Sequence, residues 1–201
     1  HPFHPESSLV VIEDLNEICI GQYGSKNDDA DQIASYTQDS KKHDSKTETF
    51  VALIAKIDNW RWAGVPFFLR TGKRLKTRAS EIVITFKPIQ HFIFDKTEKN
   101  NTLPNQLIIR LQPDEGLKIL LMSKEPGPGG IRISPSYLNL SFSDTFKNKI
   151  PDAYERLLMD VVRGNQTLFM RKDEVEAAWS WIDPIISLIK ENNRLPETYI
   201  P

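Results

Sequence analysis

Arg61, Arg70, Lys73, Arg74, Lys76 and Arg78 lie between Asp58 and Glu81 with no acidic residue among them. The chain as a whole carries 26 Lys and Arg against 27 Asp and Glu, so this run is a local concentration of positive charge in a nearly neutral sequence. Gly72 sits inside it and lets the backbone turn sharply or approach a ligand closely. A point-charge lysine, forked arginines and a flexible turn are the groups that a dianionic phosphate requires. The same run would also serve as a solvated basic loop, and spacing alone leaves both readings open.

The remaining groups offer less chemistry. Glu125-Pro126-Gly127-Pro128-Gly129-Gly130 lacks the Lys-Ser/Thr of a phosphate cradle and reads as a turn. His1, His4, His43 and His91 have no ligand spacing, so no metal site is expected. Cys19, the only cysteine, excludes an internal disulfide and reads as a small buried apolar residue. Trp60, Trp62, Trp179 and Trp181 form two i, i+2 pairs whose expected role is core or interface packing. No Ser-His-Asp set, acid/base carboxylate pair or nucleotide fingerprint is present.

The elements that must position the basic run follow from periodicity. Residues 5–20 fit a short helix loosely, starting at Pro5, Ser7 or Ser8. Residues 25–46 are polar and almost free of branched apolar side chains, which predicts a long mobile loop. Thr49 to Ile57 reads as a buried strand, and Ile82, Ile84 and Phe86 show period-2 alternation. Leu107, Ile109 and Leu111 face one way, Pro113-Asp114-Glu115-Gly116 turns, and Leu117, Ile119 and Leu121 resume, which predicts a β-hairpin. A further strand is marked by Leu138, Leu140 and Phe142.

After Pro151 the period becomes 3.6. A helix capped by Asp152 and Glu155 presents Tyr154, Leu157, Leu158, Val161 and Val162 on one face and ends at Gly164. A second begins at Asp173, with a stripe of Val175, Ala178, Trp179, Ile182, Ile186 and Ile189, and Pro184 should kink or split it. Strands followed by segregated helices give an α+β class, with a large, mainly antiparallel sheet and helices packed on one face.

A chain of 201 residues suggests one domain, possibly two small ones. A net charge of −1 argues against a general nucleic-acid binder. No window approaches 18 uncharged apolar residues, so no membrane-spanning helix is expected. No basic stretch followed by an apolar one occurs near the start, so no secretory signal is expected. A single cysteine fits a reducing, cytoplasmic setting. The opening His-Pro-Phe-His without an initiator Met suggests a fragment or a processed chain.

The run TETFVALIAKIDNWRWAGVPFFLRTGKRL resembles the C-terminal domain of the glucose-6-phosphate dehydrogenase family. IGQYG, NQLIIRLQPDEGL and DAYERLLMDVVRGNQTLFMRKDEVEAAWSWIDPI agree with it in order, and NNRLPETYIP resembles the family's last part. The resemblance implies that residues 1–201 are a substrate-binding and dimerisation domain. The whole enzyme would oxidise glucose 6-phosphate to 6-phosphoglucono-lactone with NADP in the pentose phosphate pathway.

The family's Gly-rich coenzyme loop, its Glu-Lys-Pro motif and its Ile-Asp-His-Tyr-Leu-Gly-Lys stretch do not occur in the sequence. In the family these motifs belong to an N-terminal Rossmann domain, and the resemblance implies that the base of hydride transfer lies in that half as well. By the resemblance, no catalytic residue falls in this chain, the isolated chain is expected to be inactive, and NADP is held mainly by an N-terminal domain.

Residue by residue, Lys73 matches the lysine of the family's Arg-Thr-Gly-Lys motif, which contacts the substrate. Arg78 matches a second substrate cation, and Gln112 a hairpin glutamine assigned to substrate in some members. Arg70 and Arg110 match cations that hold a second, structural NADP in animal members, whereas Ala79 and Leu120 replace other positions of that site. The implied partners are glucose 6-phosphate and a second copy of the chain, as a sheet-mediated homodimer or dimer of dimers, with no nucleic acid and no membrane. The alternative is a non-enzymatic sugar-phosphate-binding or assembly module of the same fold. A dinucleotide-binding domain upstream in the reading frame would discriminate the two.

Overall fold

The computed structural model describes residues 9–12, 14–27, 32–88, 102–128, 132–145 and 153–201. They fall into two compact units, one of residues 1–76 and 159–201, the other of residues 77–158.

The first unit is organised around the nine-residue strand β5 (Phe50–Asp58). Strand β1 (Leu9–Val11) pairs with it from Leu9↔Asp58 to Val11↔Lys56, and β2 (Ile18–Tyr23) from Ile18↔Leu53 to Gly21↔Phe50, both antiparallel. Strand β6 (Pro66–Gly72) pairs with β5 from Lys56↔Pro66 to Phe50↔Gly72. The short β11 (Glu197–Tyr199) lies parallel to β2. Alternation along β2 and β5 turns Ile18, Ile20, Leu53 and Ala55 to one face, where they are buried with Ile185 of the helix α4 (Lys172–Glu191). Removing a side chain of this size from water contributes about 1.5–3 kcal/mol. Trp181, Ile182 and Ile189 pack against the same cluster.

Residues 9–23 are therefore strand rather than helix, joined by a single 3-10 turn at Leu15–Glu17. Period 2 decides it, because Ile18 and Ile20 are buried while Cys19 between them points outward. Cys19 is exposed and is no core residue.

Residues 25–46, expected as one loop, hold a two-residue hairpin of β3 (Lys26–Asn27) and β4 (Gln32–Ile33). A one-turn helix α1 (Tyr36–Asp39) follows. Ser35 Oγ accepts from Gln38 N–H and Gln38 Oε1 accepts from Ser35 N–H, a reciprocal cap that offsets the cost of nucleating so short a helix. Gln22 Nε2 donates to the carbonyls of Ser45 and Thr47 at 2.9 and 2.8 Å, fixing the segment's far end to β2.

The second unit is a four-stranded antiparallel sheet in the order β10-β9-β8-β7. Its strands are β7 (Ser80–Thr85), β8 (Gln106–Gln112), β9 (Gly116–Lys124) and β10 (Ile133–Ser141). The expected hairpin is β8–β9, with Arg110 opposite Gly116. Phe142, expected at the end of a strand, instead begins the short helix α2 (Phe142–Thr145). The class is α+β with mainly antiparallel pairing, as expected, and the strands are divided between separate sheets.

Helix α3 (Ala153–Arg163) ends at Gly164, whose φ of 68° is the left-handed value that stops a helix. Asp152, the expected cap, lies outside the described residues. Helix α4 starts at Lys172, one residue earlier than expected, and Glu174 rather than Glu176 reaches back to accept from Arg171 N–H at 2.9 Å. Its buried stripe is Trp181, Ile182, Ile185 and Ile189, while Val175 and Trp179 are exposed. Of the four tryptophans only Trp181 joins the core, and Trp60 is 88% exposed. Pro184 does not split the helix. It lies on the exposed side, and the buried residues either side of it keep both halves on the sheet.

Leu53→Ala should lower the unfolding free energy by about 2–4 kcal/mol, because it opens a cavity beside Ile18 and Ile185. Cys19→Ser should change it by less than about 0.5 kcal/mol. Urea midpoints measure both, and similar losses would place Cys19 back in the core.

Candidate functional site

The β5–β6 ladder ends at Phe50↔Gly72, and the basic run turns just beyond it. A Cβ on Gly72 would stand 2.8 Å from Phe50 Cδ2, so the close approach of the strand to that ring requires glycine. Lys73 N–H then donates to the carbonyl of Thr49 at 2.8 Å. The chain reverses at Arg74, which has a φ of 51°. A non-glycine residue there costs about 1–2 kcal/mol, so the surroundings must hold it.

Three groups do so. Arg74 Nη2 donates to Asp39 Oδ2 at 2.9 Å, and its guanidinium stands 5.2 Å from the centroid of the Tyr23 ring. Tyr23 Oη donates to the same carboxylate oxygen at 2.9 Å. Burial first, and then the Asp39 carboxylate, raise the Tyr23 phenol above its ordinary pKa of 10.0. Arg74, read from the sequence as part of the cationic field, directs its charge to Asp39.

Below the turn, Thr49 is buried. Its N–H donates to the Gly21 carbonyl at 2.7 Å, and its Oγ1 accepts from Tyr23 N–H at 3.0 Å. Its Oγ1 also lies 3.0 Å from Tyr199 Oη, and that phenol donates to the Lys73 carbonyl at 2.7 Å. The Lys73 backbone is thus bonded at both its N–H and its C=O. Its side chain is exposed, and no ion pair to it occurs among the described residues. The site offers a fixed backbone carrying a free ammonium.

The other two candidates lie in the second unit. Gln112 is the last residue of β8 and pairs with Ser80 at a register shift in β7. Arg78 precedes that strand by two residues, so both candidates sit at one end of the four-stranded sheet, and both are exposed. Arg110, on β8, donates from Nη2 to Asn139 Oδ1 at 3.2 Å over Gly116, whose Cβ would meet the Leu140 carbonyl at 2.4 Å. Arg70 is exposed on β6. Among the described residues no group of His, Cys, Asp and Glu could hold a metal ion. His43 is exposed, and His1, His4 and His91 lie outside the described residues.

Sequence reasoning missed Tyr23, Asp39, Thr49 and Tyr199. Tyr23 falls in the IGQYG block, Thr49 in the TETFVALI run and at the start of the expected strand, and Tyr199 in NNRLPETYIP, whereas Asp39 lies in none of these blocks.

Comparison with known proteins gives a consistent result. The family model for the glucose-6-phosphate dehydrogenase C-terminal domain matches residues 7–201. Glucose-6-phosphate 1-dehydrogenase of Rhizobium meliloti is 57% identical over 88% of this chain, and that of Mycolicibacterium smegmatis 52% identical over 95%. The chain spans only 36% and 38% of those two relatives. A solved structure of glucose-6-phosphate dehydrogenase in complex with its substrate glucose-6-phosphate superposes with a TM-score of 0.84. That match has 33% identity and covers 98% of this chain and 39% of the other.

A phenol whose pKa is raised by folding binds its proton more tightly in the native state, so its contribution is complete below pH 10 and is lost as pH rises through the native value. Unfolding free energy should therefore fall above about pH 10, and Tyr23→Phe should flatten that fall. Urea titrations between about pH 8 and pH 11 measure it. An unchanged slope in the variant would remove Tyr23 from the cause.

Proposed function

This chain belongs to the glucose-6-phosphate dehydrogenase family, and we propose that it binds glucose 6-phosphate through the sugar's phosphate group. In the whole enzyme the C1 hydroxyl of that sugar is oxidised to the lactone with NADP, as part of the pentose phosphate pathway. The observation that carries the reading is Lys73, whose ammonium has no ion pair among the described residues and stands on a turn whose backbone is bonded at both ends. The similar solved structure was obtained with glucose 6-phosphate. In this reading Lys73 meets the phosphate as a point charge, and the resemblance is what supports Arg78 and Gln112 as further substrate contacts.

The coenzyme does not fit the described residues. The usual dinucleotide site is a strand, a Gly-rich turn and a helix in succession, and none occurs among the described residues. Hydride transfer and its base are accordingly assigned to no residue of this chain. The proposed setting is cytoplasmic, and no helix among the described residues is long and apolar enough to cross a membrane.

The second unit supports self-association. Register places Ile82, Ile109, Leu117 and Leu140 in one cross-strand row, and Ile84, Leu107, Ile119 and Leu138 in another. Both rows lie on one face of the sheet, and Ile82 and Leu138 on it are 49% and 61% exposed. A contiguous apolar face of this kind marks an interaction surface. It is the face of Leu107 and Ile109, opposite the one that carries Ile108. We assign it to a second copy, as a homodimer or dimer of dimers.

In the full-length enzyme Lys73→Ala should raise KM for glucose 6-phosphate about 10- to 100-fold, the effect of losing one charge-assisted hydrogen bond. KM for NADP and turnover of free glucose should change far less. Equal losses for phosphorylated and free sugar would mean that Lys73 does not read the phosphate. Sedimentation of the 23.1 kDa chain should give about twice that mass, and a clean monomer would count against the sheet interface.

A further inference from the structure

We infer that Tyr199 is a positioning residue for substrate phosphate, acting through the Lys73 carbonyl. The inference rests on the assignment of Lys73 to the phosphate. A phenol has one proton, and the Lys73 carbonyl can only accept, so the 2.7 Å contact places that proton on the Lys73 oxygen. Tyr199 Oη must then accept across its 3.0 Å contact with Thr49, and the Thr49 hydroxyl must donate. That hydroxyl in turn accepts from Tyr23 N–H. The four groups form one directed series, from Tyr23 N–H through Thr49 Oγ1 and Tyr199 Oη to the Lys73 carbonyl.

The longer 3.4 Å approach of Tyr199 Oη to the Thr49 carbonyl does not compete with the 2.7 Å bond. Each bond polarises the next, so the series is stiffer than its members taken singly.

Its last bond fixes the peptide plane between Lys73 and Arg74. That plane determines where the lysine side chain leaves the turn, because Arg74 is already held at a φ of 51°. Lys73 N–H, bonded to the Thr49 carbonyl, fixes the preceding plane from the same threonine. A flexible four-carbon side chain gains precision chiefly from a fixed origin, and Tyr199 supplies it from β11, 126 residues further along the chain.

The test compares variants of the full-length enzyme. Tyr199→Phe removes one oxygen and should raise KM for glucose 6-phosphate about five-fold, leaving KM for NADP within about two-fold. Introduced on top of Lys73→Ala, it should raise KM for glucose 6-phosphate no further, because the group it positions is gone. Thr49→Ala should reproduce the Tyr199→Phe effect, and Thr49→Ser, which keeps the hydroxyl, should restore most of the loss. This pair decides the matter if Tyr199→Phe fails to fold. Additive effects of Tyr199→Phe and Lys73→Ala, or equal rises in KM for substrate and coenzyme, would overturn the inference. An unchanged KM in Tyr199→Phe beside a raised KM in Lys73→Ala would overturn it while leaving the phosphate assignment in place. An unchanged KM in Lys73→Ala would overturn both.

Discussion

Burying Thr49 creates a demand that shapes the surroundings of the basic turn. A buried residue must find partners for its N–H, its C=O and, here, its hydroxyl, since each unpaired group costs about 1–3 kcal/mol. Thr49 takes them from Gly21, Lys73, Tyr23 and Tyr199, which belong to two strands and the turn. The residue just before the central strand thus ties the strand beside it, β11 and the basic turn to one point. Gly72 makes the geometry feasible by letting the outer strand close on Phe50 without a side chain in the way.

Around that point the two units solve the burial problem differently. The first covers its sheet with α4, and the proline in that helix is tolerated because the buried stripe continues on both sides of it. In the second unit both cross-strand rows of the apolar face include residues left exposed. Helix α3 shows the same incompleteness, with Leu158, Val161 and Val162 all exposed. Apolar surface of this extent is stable in water only when something else covers it. The chain's short span of its relatives' length and the proposed second copy are both consistent with that need.

Legibility in the sequence followed the range of the interactions. Period 2 was readable in β7 and the β8–β9 hairpin, because alternation is a local consequence of one buried face, and β5 was readable as a short apolar run. The same rule should have identified β2, but Asp14 and Glu17 among its neighbours imitated helical spacing. The Ser35–Gln38 cap was written in the segment read as loop and was outweighed by its polar composition. The stripe of α4 was legible in part: Ile182 and Ile189 pack on the core as expected. Trp181 and Ile185 complete it, because apolar residues occur on more than one side and only contact with the sheet selects among them.

The candidate site divided in the same way. The basic run stood out by charge, a property visible within twenty residues, and the family resemblance singled Lys73 out of it. Its support did not, because Tyr199 meets Thr49 across 150 positions and Arg74 meets Asp39 across 35. No periodicity reports a contact of that separation.

The pairing of Arg74 with Asp39 also bears on how a basic turn becomes selective. Six neighbouring cations raise the local potential, but that field reaches only about 8 Å at physiological salt and attracts any anion. Neutralising the cation next to Lys73 with a carboxylate from α1 weakens the field at the place where binding is proposed. The exchange is favourable if position matters more than attraction. Arg74 anchors the reversal of the chain, and the neighbouring ammonium is left without an ion pair among the described residues. A turn that kept every cation free would collect phosphates of many kinds and orient none. Fixing one charge to present another converts an electrostatic patch into a site with direction, which is what binding a sugar phosphate in one orientation demands.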